Sequence, residues 1–149
     1  MTAFEGGERT RQLVIFALGG EEYAFAIGEV EEIIRFVEPR TVASDADWML
    51  GVISLRGRII PVCDLAKRLG VPRGEGHGAK IIVVEAGSHT VGLVVDDVTE
   101  VLTVEENEIE SLRVAGGRGA IAIAKVGERL IVLLASESIF DSSELADAV

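Results

Sequence analysis

One cysteine, two histidines, three prolines and only 5% aromatic residues leave this 149-residue chain without several common structural and chemical devices. The lone Cys63 cannot make an internal disulfide, so the fold must rest on its hydrophobic interior, and a reducing compartment is expected. His77 lies in a glycine-rich stretch and His89 beside an expected turn. Neither has metal-ligating or nucleophilic companions at motif spacing, so no metal, no cofactor and no catalytic residue is expected. The longest apolar runs, such as 81–84 and 130–135, fall far short of the ~20 residues that cross a bilayer. The opening MTAFEGGERTRQ lacks the apolar core of a secretory signal, which points to a cytoplasmic protein with no direct membrane insertion. Basic residues are also scarce, 14 against 25 acids for a net charge of −11, and this argues against nucleic acid as a partner.

What the chain has in quantity is apolar residues, 48% of the total, set in short β-branched runs between glycine turns. This reads as mostly β. QLVIFALGGEEYAFAI should turn at Gly19-Gly20, KIIVVEAGSHTVGLVVD at Gly87-Ser88 in a type II′ turn, and AIAIAKVGERLIVLL at Gly127-Glu128. Short helices are expected at DLAKRLG, stopped by Gly70, and in the final SIFDSSELADAV. Asp45 is a candidate cap for a short turn holding Trp48 and Met49. The segment 70–79, rich in glycine and containing a proline, is the best candidate for a flexible connection.

The first hairpins superpose without gaps at an offset of 68, which sets Gly19 on Gly87, Val30 on Val98 and Glu32 on Glu100. The same register sets Ile33 on Val101 and Ile34 on Leu102, and RIIPV from Arg58 then matches RLIVL from Arg129 at an offset of 71. An internal repeat of this kind implies two small β units, each with little to bury and so dependent on a shared interface. The whole of 1–149 then forms one domain made of two β subdomains, with a boundary near 70–80. The cations favour the first half: residues 1–75 carry 9 bases against 12 acids, and residues 76–149 carry 5 against 13.

Little of this suggests catalysis. Cys63 sits inside an apolar run and reads as a buried structural thiol. Asp96 and Asp97, with Glu100 following, read as the start of a helical turn rather than a cation site. The glycines of 74–78 lack the Gly-Lys-Ser/Thr of a phosphate loop, and GGRG at 116–119 shows no dinucleotide-binding pattern. A small enzyme or ligand-binding barrel using Asp96, Asp97 and His89 at the junction of the halves is the competing reading.

The stretch GVISLRGRIIPVCDL, residues 51–65, reads as two strands around a turn at Arg56-Gly57. Pro61 cannot donate to a ladder, which suggests an edge or bulged strand. Arg56 is then either an outward anchor for a partner's carboxylates or one half of an internal pair with Glu32 or Asp64.

Together with EYAFAIGEVEEII before it and TVGLVVDDVTEVL after it, this stretch closely resembles the CheW family of bacterial chemotaxis coupling proteins, over roughly residues 12 to 140. The resemblance implies two intertwined five-stranded SH3-like barrels sharing a core, with short helices. It implies a free-standing, non-enzymatic adaptor that links the cytoplasmic tip of methyl-accepting chemoreceptors to the regulatory domain of the histidine kinase CheA in membrane-associated arrays. Carried over by motif, the receptor-facing groove includes Val30, Glu32, Gly51, Arg56, Val94 and Val95, and Gly57 is the kinase-facing candidate. Three features depart from the family pattern: Ser54 where Asn is usual, alanine for a common glycine in AIAIAKV, and Ala135-Ser136 in LLASESIF.

Overall fold

The computed structural model describes residues 9–74, 79–112, 119–140 and 144–145. In chain order the strands are β1 (Thr10–Leu18), β2 (Glu21–Ala26), β3 (Val30–Arg35), β4 (Met49–Leu55), β5 (Arg58–Asp64), β6 (Lys80–Ala86), β7 (His89–Val95), β8 (Asp97–Glu105), β9 (Ile109–Ser111), β10 (Ala120–Val126) and β11 (Arg129–Leu134). Two short helices follow the last strand of each half, α1 (Leu65–Leu69) and α2 (Ser136–Ile139). All three expected hairpins form. The Gly87-Ser88 turn has the type II′ form, with Gly87 at φ 65°. Asp64 opens α1 by accepting from the Lys67 amide at 3.2 Å, and Gly70 ends it in the left-handed conformation. Before Trp48 it is Ser44 rather than Asp45 whose side chain closes the turn, accepting from the Ala46 amide.

The strands form two sheets, ordered β3-β6-β7-β5-β4 and β8-β1-β2-β11-β10-β9. Under the repeat these orders are the same, because β6 and β7 correspond to β1 and β2, β3 to β8, and β4 and β5 to β10 and β11. Each half therefore lends its first hairpin to the other half's sheet. Every ladder that is not a hairpin, namely β1–β8, β2–β11, β3–β6 and β5–β7, joins one half to the other. This is what intertwines the two SH3-like barrels. The short β9, which pairs only with β10, adds a sixth strand to the five expected in the second sheet.

Adjacent strand residues face opposite sides, so each barrel hairpin feeds two cores. Phe16, Phe25, Trp48, Leu65, Ile82, Leu93, Leu134 and Phe140 fill the large core between the barrels. Leu13, Ile15, Ala24, Ile131 and Leu133 fill the second barrel, and Ile53, Ile60, Val62, Ile81, Val83 and Val94 fill the first. Phe16 and Phe25 are fully buried and stacked at 5.3 Å, each side chain worth about 1.5–3 kcal/mol of burial.

Three local expectations fail for physical reasons. DDVTE is strand rather than the start of a helical turn: Asp97 opens β8, and the Asp96 carboxylate, nearly buried, accepts from the amides of Gly19 and Gly74, each at 2.8 Å. That double bond pins residues 71–74, the first part of the segment expected to be flexible; residues 75–78, including His77, lie outside the described residues, as do 113–118. Finally, β5 is no edge strand, because it lies between β7 and β4. Pro61 is tolerated since it pairs with Val52 of β4, while the parallel ladder to β7 starts one residue later, at Val62–Gly92.

The C-terminal segment is held down by one cation. Arg68 of α1, 8% exposed, donates to the Ile139 carbonyl at 2.8 Å and to both Glu144 oxygens at 2.9 and 2.6 Å. Its guanidinium also lies 5.3 Å from the Trp48 ring centroid and 5.2 Å from that of Phe140.

Candidate partner-binding site

The turn between β4 and β5 has Arg56 at φ 52° and Gly57 at φ 81°, the type I′ form that suits a tight hairpin. Glycine takes this conformation freely, whereas arginine does so at a cost of about 1–2 kcal/mol. Arg56 is the one non-glycine residue at positive φ among the described residues. Such an outlier points to a position held for its side chain rather than for its backbone. Around Gly57 the space is open, with nothing within 4 Å of where a Cβ would stand.

The Arg56 side chain is 74% exposed, yet it is fixed in direction. Its Nε donates to Glu32 Oε1 at 3.1 Å and its Nη2 to Glu32 Oε2 at 2.8 Å, a fork-to-fork pair. Neither bond uses Nη1. Beside it Arg58 Nη2 donates to Glu31 Oε1 at 3.0 Å. Hydrogen bonding to Arg56 holds the Glu32 carboxyl below its ordinary value and raises the guanidinium in return. Because both groups are open to solvent, the pair adds little stability and serves to orient the arginine.

Glu31 and Glu32 belong to β3, one edge of the first sheet, and the β4–β5 turn belongs to the other edge, so the two ion pairs close the barrel at its seam. The second barrel repeats the device. Arg129, counterpart of Arg58, reaches Glu100, counterpart of Glu32, at 2.7 Å, and also pairs with Glu22 at 3.0 and 2.8 Å. These bonds hold Glu22 below its ordinary value. In the repeat register Arg56 itself falls on Gly127, and the second barrel has no arginine at its turn.

The remaining expected site residues divide sharply. Val30, at the head of β3, is half-buried against the shared core, beside Glu32. Gly51 is buried and sits at φ 149°, where an added Cβ would come within 2.1 Å of the Arg40 carbonyl oxygen. It offers no surface, and instead lets Arg40 approach and exchange hydrogen bonds with Val52 at 2.8 and 2.9 Å. Val94 and Val95 cannot form an apolar floor for a docked helix, since each is only 1% exposed. They lie on the central strand β7, Val94 facing the first-barrel core and Val95 the shared core.

The exposed apolar residues near the turn are others. Ile33, 38% exposed, follows Glu32, and Ile59, 63% exposed, follows Arg58. Their counterparts Val101 and Leu130 are exposed in the second barrel, at 52% and 60%. A sequence signal existed: in Ile33-Ile34 and Ile59-Ile60 two apolar neighbours on a strand must face opposite sides, so one of each pair faces outward.

The groups behind the competing catalytic reading are spent elsewhere. Asp96 holds two backbone amides, and Asp97 accepts from Lys80 at 3.2 Å and from the Val98 amide at 2.8 Å. Burial pushes the Cys63 thiol from 9.0 up to about 12. Native protein at pH 8 is therefore expected to react with a thiol reagent such as Ellman's only as it unfolds. The proton kept in the fold also means that the contribution of Cys63 to stability is whole below pH 9.0 and is lost as pH rises from there towards about 12. Immediate labelling of native protein at pH 8 would contradict the buried assignment.

With the fold and the seam in place, comparison with known proteins decides the family. A family model described as the CheW-like domain matches residues 12–144. The chain belongs to the CheW family. It is 32% identical over 143 residues to the chemotaxis protein CheW of Bacillus subtilis, covering 93% of this chain and 92% of that one. To the CheW of Thermotoga maritima it is 31% identical over 140 residues, covering 93% of both. The crystal structure of the scaffolding protein TtCheW from Thermoanaerobacter tengcongensis superposes with a TM-score of 0.81 at 34% identity, covering 88% of this chain and 92% of that one. The CheW family is one of chemotaxis scaffolds, and the intertwined barrels described above are its fold. No helix among the described residues is long and apolar enough to cross a membrane.

Proposed function

We propose that this chain is a non-enzymatic adaptor which couples the cytoplasmic tip of methyl-accepting chemoreceptors to the regulatory domain of the histidine kinase CheA, and that it works in the cytoplasm at membrane-associated receptor arrays. Membership of the CheW family supports the scaffold role. The single observation that carries the receptor contact is Arg56: an exposed guanidinium on a strained turn, aimed by a bidentate carboxylate and flanked by Ile33 and Ile59. A receptor helix pair offers the acidic and amide groups such a fork recognises, and apolar side chains for the isoleucines. Glu32 and Val30 then orient and back the arginine, Gly51 sets the strand behind it, and Gly57 faces the kinase.

Arg56→Glu is expected to weaken binding of a receptor-tip fragment at least tenfold, about 1.4 kcal/mol, by surface plasmon resonance. Affinity for the kinase regulatory domain and the melting temperature should change little, because the exposed pair with Glu32 contributes no more than about 1 kcal/mol. Equal loss toward receptor and kinase, or a large fall in melting temperature, would make the arginine a structural residue and remove the anchor.

A further inference from the structure

We infer that the two halves of this chain, residues 9–74 and 79–145, are each other's binding partner, and that the segment joining them supplies proximity alone. Within a half, the only ladders are hairpins: β1–β2 and β4–β5 in the first, β6–β7 and β10–β11 with the short β9 in the second. A two-stranded hairpin is marginally stable at best in water, so neither half has a sheet of its own to fold around. Each barrel is completed only when the other half inserts its first hairpin, β1–β2 between β8 and β11, and β6–β7 between β3 and β5.

The polar fastenings follow the same rule. Arg68 reaches across to Ile139 and Glu144, Asp96 to Gly19, Arg129 to Glu22, and the Ser136 amide to Glu29 at 2.7 Å. The shared core draws Phe16, Phe25, Trp48 and Leu65 from the first half and Ile82, Leu93, Leu134 and Phe140 from the second. All of these contacts are made by surfaces that belong to one half or the other. The connecting segment adds the anchor of Gly74 on Asp96 and the packing of Pro72 on Gly19, both at its start. The chain is thus a fused dimer of related halves. A covalent tether raises local concentration to the millimolar range without creating contacts. A second copy of this chain therefore presents, to each half, the same complementary surface as its own tether does.

The full-length chain with a site-specific protease sequence inserted within 75–78 tests this. After cutting, the two pieces are expected to elute together at the mass of the uncut chain, with the strand signal in circular dichroism and the Trp48 fluorescence unchanged. A nitrogen-15-labelled cut sample and an unlabelled one, mixed, unfolded in urea and refolded, should then give heavy–light particles in native mass spectrometry beside the parental ones. Separation of the pieces on cutting, or loss of the strand signal, overturns the inference. So does refolding that returns no mixed particles.

Discussion

Replacing Gly51 by alanine is expected to cost about 3–5 kcal/mol, through a strained φ of about 1–3 and two hydrogen bonds of about 1 each. The new Cβ would stand 2.1 Å from the Arg40 carbonyl oxygen, a contact no side-chain rearrangement relieves, because the obstacle is backbone. Either the Arg40–Val52 bridge opens or β4 shifts at the irregularity it already carries between Met49 and Gly51. At roughly 2–4 °C per kcal/mol for a domain of this size, thermal unfolding should move down by about 10 °C. The functional corollary is sharp. A Gly51 variant that no longer binds a receptor fragment should also have lost stability, whereas Arg56→Glu should lose binding alone. A Gly51→Ala protein melting within about 2 °C of the parent would show that segment 38–41 moves aside freely, and would return Gly51 to the list of direct contacts.

Arg68→Ala is the second large effect, at about 3 kcal/mol, the lower end for breaking a buried pair because Glu144 retains 31% of its side-chain exposure. The substitution strips the Ile139 carbonyl of its donor, leaves Glu144 without its fork and removes the cation between Trp48 and Phe140. Trp48 is the only tryptophan in the chain, so its emission reports this corner directly. A red shift at temperatures well below the main transition is expected, as residues 139–145 lift from the shared core. Arg68→Met separates packing from charge: the thioether should refill the gap beside the rings and recover part of the stability. Full recovery would mean that the ion pair contributes nothing, and an unshifted Trp48 emission in Arg68→Ala would mean that the cation does not hold the segment.

The hairpins were legible because their signals are local. Alternating apolar residues and a glycine pair decide a two-stranded unit within 16 residues, as in QLVIFALGGEEYAFAI. The repeat was legible for the same reason. Which hairpin joins which sheet was not: the ladders β1–β8 and β3–β6 depend on contacts far apart in sequence, and from the residues alone the repeat shows two related units without showing that they trade strands. The intertwining came from the family resemblance. At the site, Arg56 and Glu32 were found, with both readings of the arginine left open, and the structure joins them in one exposed pair. Val94 and Val95 were misplaced although their run, GLVVD, carries the mark of a strand covered on both faces, an unbroken apolar stretch with no outward polar residue. Asp97 was misread because an acid followed three residues later by Glu looks alike before a helix and at the head of a strand.

The mismatch between Arg56 and its counterpart Gly127 gives the molecule a valence. Two barrels of one design could have carried two equal docking turns, and a scaffold so built would crosslink whatever it gripped. Here the seam is kept in both, by Arg58 with Glu31 and by Arg129 with Glu100, while the projecting guanidinium stands on one only. Toward the ligand that Arg56 holds, the chain is monovalent and directional. Its other barrel, with Val101 and Leu130 outward and no turn cation, is left to a neighbour of different chemistry.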